Sequence, residues 1–271
     1  MILGVDIGNY YTKSSKGINF LSKVSNRCGL VENEAIILDG KTMYLGEGEF
    51  DSEYRKAYKE NLLYLLQGAI QKSTIDKHNK VVTGLPLSQY KQDKDYLSNR
   101  IIQSGIVDDV EVVPEGVIVL PIDFEGIAID IGGRTTDIAL IIKEDNVRKI
   151  KQPFSLPKGM LNLENEFINC INNKYGLDLL QRDANRILTN GLFIYGEKKE
   201  FSIDMYKDFV GSIIKIIQVD YSLKTNNLML IGGGAEILFN PFKKRIPQAQ
   251  LIENSFFANA LAYEQVGRGI W

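Results

Sequence analysis

Two segments of the chain carry a carboxylate, a glycine turn and hydroxyl side chains at matching offsets. They are Val5-Asp6-Ile7-Gly8-Asn9-Tyr10-Tyr11-Thr12-Lys13 and Ile129-Asp130-Ile131-Gly132-Gly133-Arg134-Thr135-Thr136-Asp137. Glycine at the head of such a turn lets the backbone approach a ligand and exposes N–H groups to anionic oxygens. Gly8 and Asn9 supply one turn; Gly132, Gly133 and Arg134 supply the other. The hydroxyls of Thr12, Thr135 and Thr136 add hydrogen bonds, and Lys13 is suited to aim a cation at the outer phosphates of a polyphosphate. Asp6 and Asp130 each end an apolar strand, where a partly buried carboxylate needs a strong reason to be. Brought together they would repel unless a cation lay between them. Magnesium suits that place, because it keeps several waters and joins carboxylates to phosphate oxygens. The tails of the two copies differ. Lys13 fits phosphate, whereas Asp137 fits metal-bound water or a local hydrogen bond.

A third glycine cluster, Gly232-Gly233-Gly234, follows the apolar run Leu228–Ile231 and leads into Ala235. Small residues at a strand-to-helix junction let a ribose or purine lie against the backbone, with the helix start favouring nearby negative charge. These glycines do not form a GxxxxGK[ST] loop, and Gly132-Gly133 does not open a GxGxxG fingerprint.

The elements that must hold these turns read as strand hairpins joined to helical crossovers. Residues 1–7, Tyr10–Ser15 and Ile18–Val24 form a strand meander. Apolar spacing predicts a helix over Glu53–Lys72. A strand at Val81–Pro86, a helix over Ser88–Ser104 and a strand at Val110–Val113 follow. The second half repeats strand, turn, strand at Gly126–Ile131 and Thr135–Ile142. Helical patterns then cover Leu161–Tyr175, Leu177–Leu188, Ile203–Val219, Ala235–Leu238 and Asn259–Val266. This order predicts an α/β protein with a mixed sheet in each half, 1–125 and 126–271, and the last helix as an element able to return to the first half.

The chain has 271 residues, enough for a well-filled core. Its formal net charge of −2 and pI near 5.7 give no global positive field for nucleic acid or an anionic membrane. Two cysteines, Cys28 and Cys170, and the single His78 fall short of a four-ligand zinc centre. No basic-then-apolar leader opens the sequence and no run is long enough to cross a bilayer, which predicts a cytoplasmic protein without direct membrane interaction.

The three motifs, in this order and spread over nearly the whole chain, resemble the actin, sugar-kinase and chaperone ATPase superfamily. Asp6–Lys13 is similar to its first phosphate motif, Asp130–Asp137 to the second and Leu230–Ala235 to its adenosine motif. The finer likeness is to bacterial plasmid-partitioning actins of the ParM, StbA and AlfA kind. In those, a proline–glutamate pair precedes the second phosphate hairpin; here it is Pro114-Glu115, which implies that Glu115 positions the attacking water. Asp178–Gly191 resembles their helix and turn beside the nucleotide. Pro157-Lys158-Gly159-Met160 resembles their segment near the ribose, which implies roles for Lys158 and Glu164.

The resemblance implies an actin-like fold of duplicated ribonuclease-H-like halves around a nucleotide cleft. The short connection over 192–202 implies a reduced outer subdomain in the second half. It further implies ATP or ADP with Mg2+ as ligands, GTP being the alternative nucleotide. Asp6, Asp130 and Asp137 would hold the metal, through its waters. ATP hydrolysis would be coupled to self-association into helical filaments that move plasmid DNA through a small DNA-binding adaptor protein. Candidate filament contacts are Ile36–Tyr44, Leu192–Phe201 and Ile270-Trp271. The alternative is a small-metabolite kinase of the same superfamily, such as a type III pantothenate kinase, which shares the length and the N-terminal DxGN turn; no second polar constellation marks an acceptor pocket.

Overall fold

The computed structural model describes residues 1–29, 34–145 and 147–271. Its first half opens with β1 (Ile2–Ile7), β2 (Tyr11–Ser14) and β3 (Asn19–Leu21). A small three-stranded sheet follows, of β4 (Lys23–Ser25), β5 (Ala35–Leu38) and β6 (Lys41–Phe50), with β6 in the middle. A single 3-10 turn, Lys56–Tyr58, precedes α1 (Leu62–Ser73), β7 (Lys80–Leu85), α2 (Leu87–Gln103) and β8 (Asp109–Pro114).

The second half begins with β9 (Gly126–Ile131), β10 (Thr136–Glu144) and β11 (Val147–Leu156), then α3 (Met160–Tyr175) and α4 (Ala184–Asn190). The hairpin of β12 (Leu192–Ile194) and β13 (Glu197–Lys199) leads to α5 (Asp204–Asp220). β14 (Leu228–Ile231), α6 (Gly233–Arg245), β15 (Ala249–Leu251) and α7 (Ala258–Ile270) complete it.

The two main sheets have one topology. Their orders are β3-β2-β1-β7-β8 and β11-β10-β9-β14-β15. In each, a central strand pairs antiparallel with the next strand in sequence and parallel with a strand reached through helices. Alternation along the central strands decides what faces what. Leu3, Val5 and Ile7 join one buried cluster with Leu65, Leu66 and Leu97 of α1 and α2, which leaves Gly4 and Asp6 on the opposite face. Ile127, Ile129 and Ile131 likewise pack with residues of α3, α5 and α6, which leaves Ala128 and Asp130 on the other side.

Those second faces are covered differently. Val117 and Leu120, in the link between the halves, pack on Ala128, Ala139 and Ile231. The second face of the first sheet is covered by α7, from the far end of the chain, with Tyr263 against Val82 and Val113. The approach is close: a Cβ on Gly4 would lie 1.9 Å from the carbonyl oxygen of Ala260, and one on Gly84 1.9 Å from the Tyr263 hydroxyl.

Several expected boundaries move. The helix expected over Glu53–Lys72 is broken into the Lys56–Tyr58 turn and α1, and the break lets Lys56 and Lys59 turn inward, where both are buried. The helix expected from Leu177 starts only at Ala184, after a 3-10 turn at Gln181–Asp183. Asn172 holds Leu179 extended, accepting from its N–H at 2.9 Å and donating to its carbonyl at 2.9 Å. The short helix expected over Ala235–Leu238 runs on through Pro241 to Arg245. The segment expected as a short connection at 192–202 holds the β12–β13 hairpin, and Ile36–Tyr44 is strand in β5 and β6.

Candidate nucleotide cleft

The two glycine hairpins face each other across a cleft of about 380 Å³, a volume in the range of small-ligand sites. They close alike: Gly8 N–H donates to Tyr11 C=O at 3.0 Å, and Gly132 N–H to Thr135 C=O at 2.9 Å. Those two amides are therefore committed to the turns. The amides that follow, of Asn9, Tyr10, Gly133 and Arg134, have no acceptor among the described residues. The hairpins nearly touch, since a Cβ on Gly133 would lie 2.6 Å from Tyr10 Cβ.

Register makes the copies chemically unequal. Asp6 lies across from Lys13, and Asp130 lies across from Asp137. The Lys13 ammonium sits 2.9 Å from Asp6 Oδ2. Burial opposes the Asp6 charge, but the Lys13 and Lys56 ammoniums prevail and hold its carboxyl below the usual carboxylate range. The second pair has no such counter-ion. Burial, with the Asp137 charge adding to it, pushes Asp130 up to about 6. Burial also pushes Asp137 up to about 6; its Oδ2 accepts from Thr135 Oγ1 at 3.1 Å, while its Oδ1 is buried without a partner. Two carboxylates with raised affinity for a positive partner, one with an orphaned oxygen, are a donor set that fits a hard divalent cation.

Glu115, at the end of β8, lines the same cleft. Burial raises its carboxyl against the pull of Lys56, whose ammonium donates to Glu115 Oε1 and lies 3.7 Å from Asp6 Oδ1. The amide of Asn259, on α7, ties the acids to the backbone. Its Oδ1 accepts from Gly116 N–H at 3.1 Å, which fixes its orientation, and its Nδ2 donates to Asp130 Oδ2 at 3.2 Å.

Gly232, Gly233 and Gly234, at the start of α6, line the same cleft beside the second hairpin. Gly232 has φ of 88°, and a Cβ there would lie 2.4 Å from Asp130 Oδ1, so the close approach requires glycine. Nearby, Gln181 Nε2 donates to the Tyr10 hydroxyl at 2.7 Å and to Glu164 Oε2, and burial raises the Glu164 carboxyl.

Of the residues expected from sequence, Asp6, Gly8, Asn9, Tyr10, Lys13, Glu115, Asp130, Gly132, Gly133, Thr135, Asp137, Glu164 and Gly232–Gly234 line this one cleft. Five others do not. The Thr12 hydroxyl is buried against Ser22 Oγ at 2.9 Å, and Thr136 Oγ1 donates to the Lys158 carbonyl at 2.9 Å, so both hydroxyls are committed to the fold. Ala235 is fully buried in the core. Lys158 directs its ammonium toward Glu166 at 3.7 Å and over the Phe209 ring. Arg134 stands on the rim, where its charge helps lower Lys59. Sequence reasoning missed Lys56, Lys59, Gln181, Phe256, Asn259 and Tyr263. Lys59, which donates to Asn9 Oδ1, is pushed down to about 8 by burial and by the Lys56 and Arg134 charges.

Residues 4–119 match the family model described as the actin like proteins N terminal domain. Solved structures match over nearly the whole chain. A pCBH ParM non-polymerisable quadruple mutant is 22% identical, with 99% of each chain covered and a TM-score of 0.78. The fold is actin-like. A 15-stranded ParM filament from Clostridium botulinum is 21% identical, with 99% of each chain covered and a TM-score of 0.75. Ta0583, an archaeal actin homolog solved in complex with ADP, is 18% identical, again with 99% of each chain covered and a TM-score of 0.78. No curated protein sequence matches the chain.

Proposed function

We propose that the protein is a nucleotide-dependent, filament-forming actin-like ATPase that segregates plasmid DNA through a DNA-binding adaptor. The carrying observation is the pair of hairpins across one cleft, with Lys13 opposite Asp6, Asp137 opposite Asp130, and Glu115 beside them. The free turn amides and the remaining Lys13 donors suit phosphate oxygens. Gly232–Gly234 suit the nucleoside, with Tyr10 and Glu164 nearby. Asp130 and Asp137, with Asp6 behind, would hold a magnesium ion through its waters; bound there, it would neutralise phosphate charge. Among the described residues no three His, Cys, Asp or Glu side chains converge as a metal site on their own, so phosphates and water must complete the shell.

In hydrolysis, Glu115 orients water at the terminal phosphate. The water oxygen forms the new bond to phosphorus, the bond to the bridging oxygen breaks with its electron pair going to the diphosphate, and the water proton leaves by way of Glu115 to solvent. Division near residue 125 gives two lobes whose relative closure would report nucleotide state to an assembling surface. The ADP complex of one structural relative and the filament of another support nucleotide binding and self-association as the reading for this chain.

Electron microscopy and pelleting of the purified protein with magnesium and ATP, against a nucleotide-free control, test the proposal. Filaments that depend on nucleotide are expected; monomers that persist at high protein concentration would overturn it. Glu115→Ala should retain nucleotide binding and lose on the order of 100-fold in phosphate release, the size of an acid–base contribution. Parental turnover would remove Glu115 from its role. Asp130→Ala should lose magnesium-dependent nucleotide affinity, and undiminished affinity would remove it from the metal site.

A further inference from the structure

Two buried cations, Lys56 and Lys59, come from neither hairpin and bond residues that line the cleft, Glu115 and Asn9. Lys56 belongs to the 3-10 turn between β6 and α1, and its ammonium is bonded to Glu115 and lies 3.7 Å from Asp6 Oδ1. The residue is 5% exposed. An ammonium carries three donors; Glu115 takes one and Asp6 lies 3.7 Å away, so donor capacity remains, held just behind the cleft lining by the Glu115 that is part of it.

The turn that delivers this ammonium is fixed to α2. Lys56 N–H donates to Gln89 Oε1 at 2.9 Å, and Gln89 Nε2 donates to the Tyr54 carbonyl at 3.3 Å. Arg55 Nε donates to the fully buried Asp93 at 3.1 Å, and Arg100 donates to the Ala57 carbonyl at 2.7 Å. A long, flexible lysine is thus held at its base by three side chains of one helix, which removes much of the entropy cost of placing its tip.

We propose that Lys56 is the group by which the protein distinguishes a nucleoside triphosphate from a diphosphate. The inference rests on the ATPase reading above. Glu115 must face the terminal phosphate to orient water there, and Lys56 is bonded to Glu115, so the ammonium lies beside the one phosphate that a diphosphate lacks. With a triphosphate, Lys56 is shared between Glu115 and the terminal phosphate; with a diphosphate, it remains on Glu115 and Asp6.

Calorimetric titration with magnesium–ADP and with a non-hydrolysable magnesium–ATP analogue tests this in the wild type, Lys56→Met and Lys56→Arg. The wild type should prefer the triphosphate by about tenfold or more, the size of one charge-assisted hydrogen bond. Lys56→Met should bring the two affinities to within about twofold, by loss of triphosphate affinity while diphosphate affinity is kept. Lys56→Arg should restore part of the preference. A Lys56→Met protein that keeps the wild-type ratio overturns the inference, as does an equal fall in both affinities, which is what a structural role alone would give. If Lys56→Met leaves too many buried carboxylates unpaired to fold, Glu115→Gln is compared with Glu115→Gln/Lys56→Met, and only the double variant should lose the preference. A wild type that binds neither nucleotide overturns the ATPase reading itself; binding of both with no Lys56 dependence overturns this inference alone.

Discussion

Asp137 faces Asp130 at the place where Lys13 faces Asp6, so one residue type separates a neutralised hairpin from one that needs a counter-ion. Both acids of the second hairpin have carboxyls raised to about 6 in the free protein. A raised acid means that the folded state binds more protons than the unfolded chain between pH 4 and 6. Their contribution to stability is therefore full below the unfolded value and lost as pH rises through about 6. Asp137→Asn should raise the melting temperature of the unliganded protein, in chelator, by a few degrees at pH 7.5, with the gain shrinking toward pH 4. The same variant should bind magnesium–nucleotide more weakly. A melting temperature that is unchanged across that range would show that the two carboxylates carry no such cost. In the wild type, magnesium-dependent nucleotide affinity should fall as pH drops through about 6, because the protonated carboxyls no longer attract the ion.

At the scale of elements, α7 does two things from one surface. Its Ala260 carbonyl lies against Gly4, and the residue just before it, Asn259, is presented to Asp130 and Gly116. Gly4→Ala places a methyl group 1.9 Å from the Ala260 carbonyl, so helix and strand must part. The expected cost is about 1–3 kcal/mol in denaturant unfolding, together with weaker nucleotide binding as Asn259 moves. Stability lost with affinity intact would separate the two roles of the helix. The hairpins themselves were legible because an acid, a glycine and alternating apolar residues are local signals, and their register follows from the turn. Lys56 was not, because it sits among the charges flanking an apolar stripe and reads there as the solvated side of a helix. Asn259 was not, because one amide in an apolar C-terminal helix carries no local sign that it meets Asp130. The early end of the Glu53–Lys72 pattern was hidden for the same reason: tertiary contacts from Gln89, Asp93 and Arg100 hold that turn, and periodicity does not record them.

On the scale of the molecule, two sheets of one topology are completed by unlike covers. The second sheet uses the link that precedes it, whereas the first depends on residues from the far end of the chain. A fragment of residues 1–125 leaves Val82 and Val113 without Tyr263, and it should show no cooperative thermal transition by circular dichroism. The same fragment with residues 254–271 appended through a flexible linker should melt cooperatively. Equal behaviour of the two would show that α7 is dispensable to the first sheet. The duplication was visible in sequence because the motifs recur; the crossing of α7 was open to expectation only as a return to the first half, since its apolar stripe fits either sheet. That crossing also orders events during translation. A ribosome that has delivered both hairpins has not yet delivered Asn259 or Tyr263, so the nascent chain holds the phosphate-type turns while the floor beneath the first of them is still open to water.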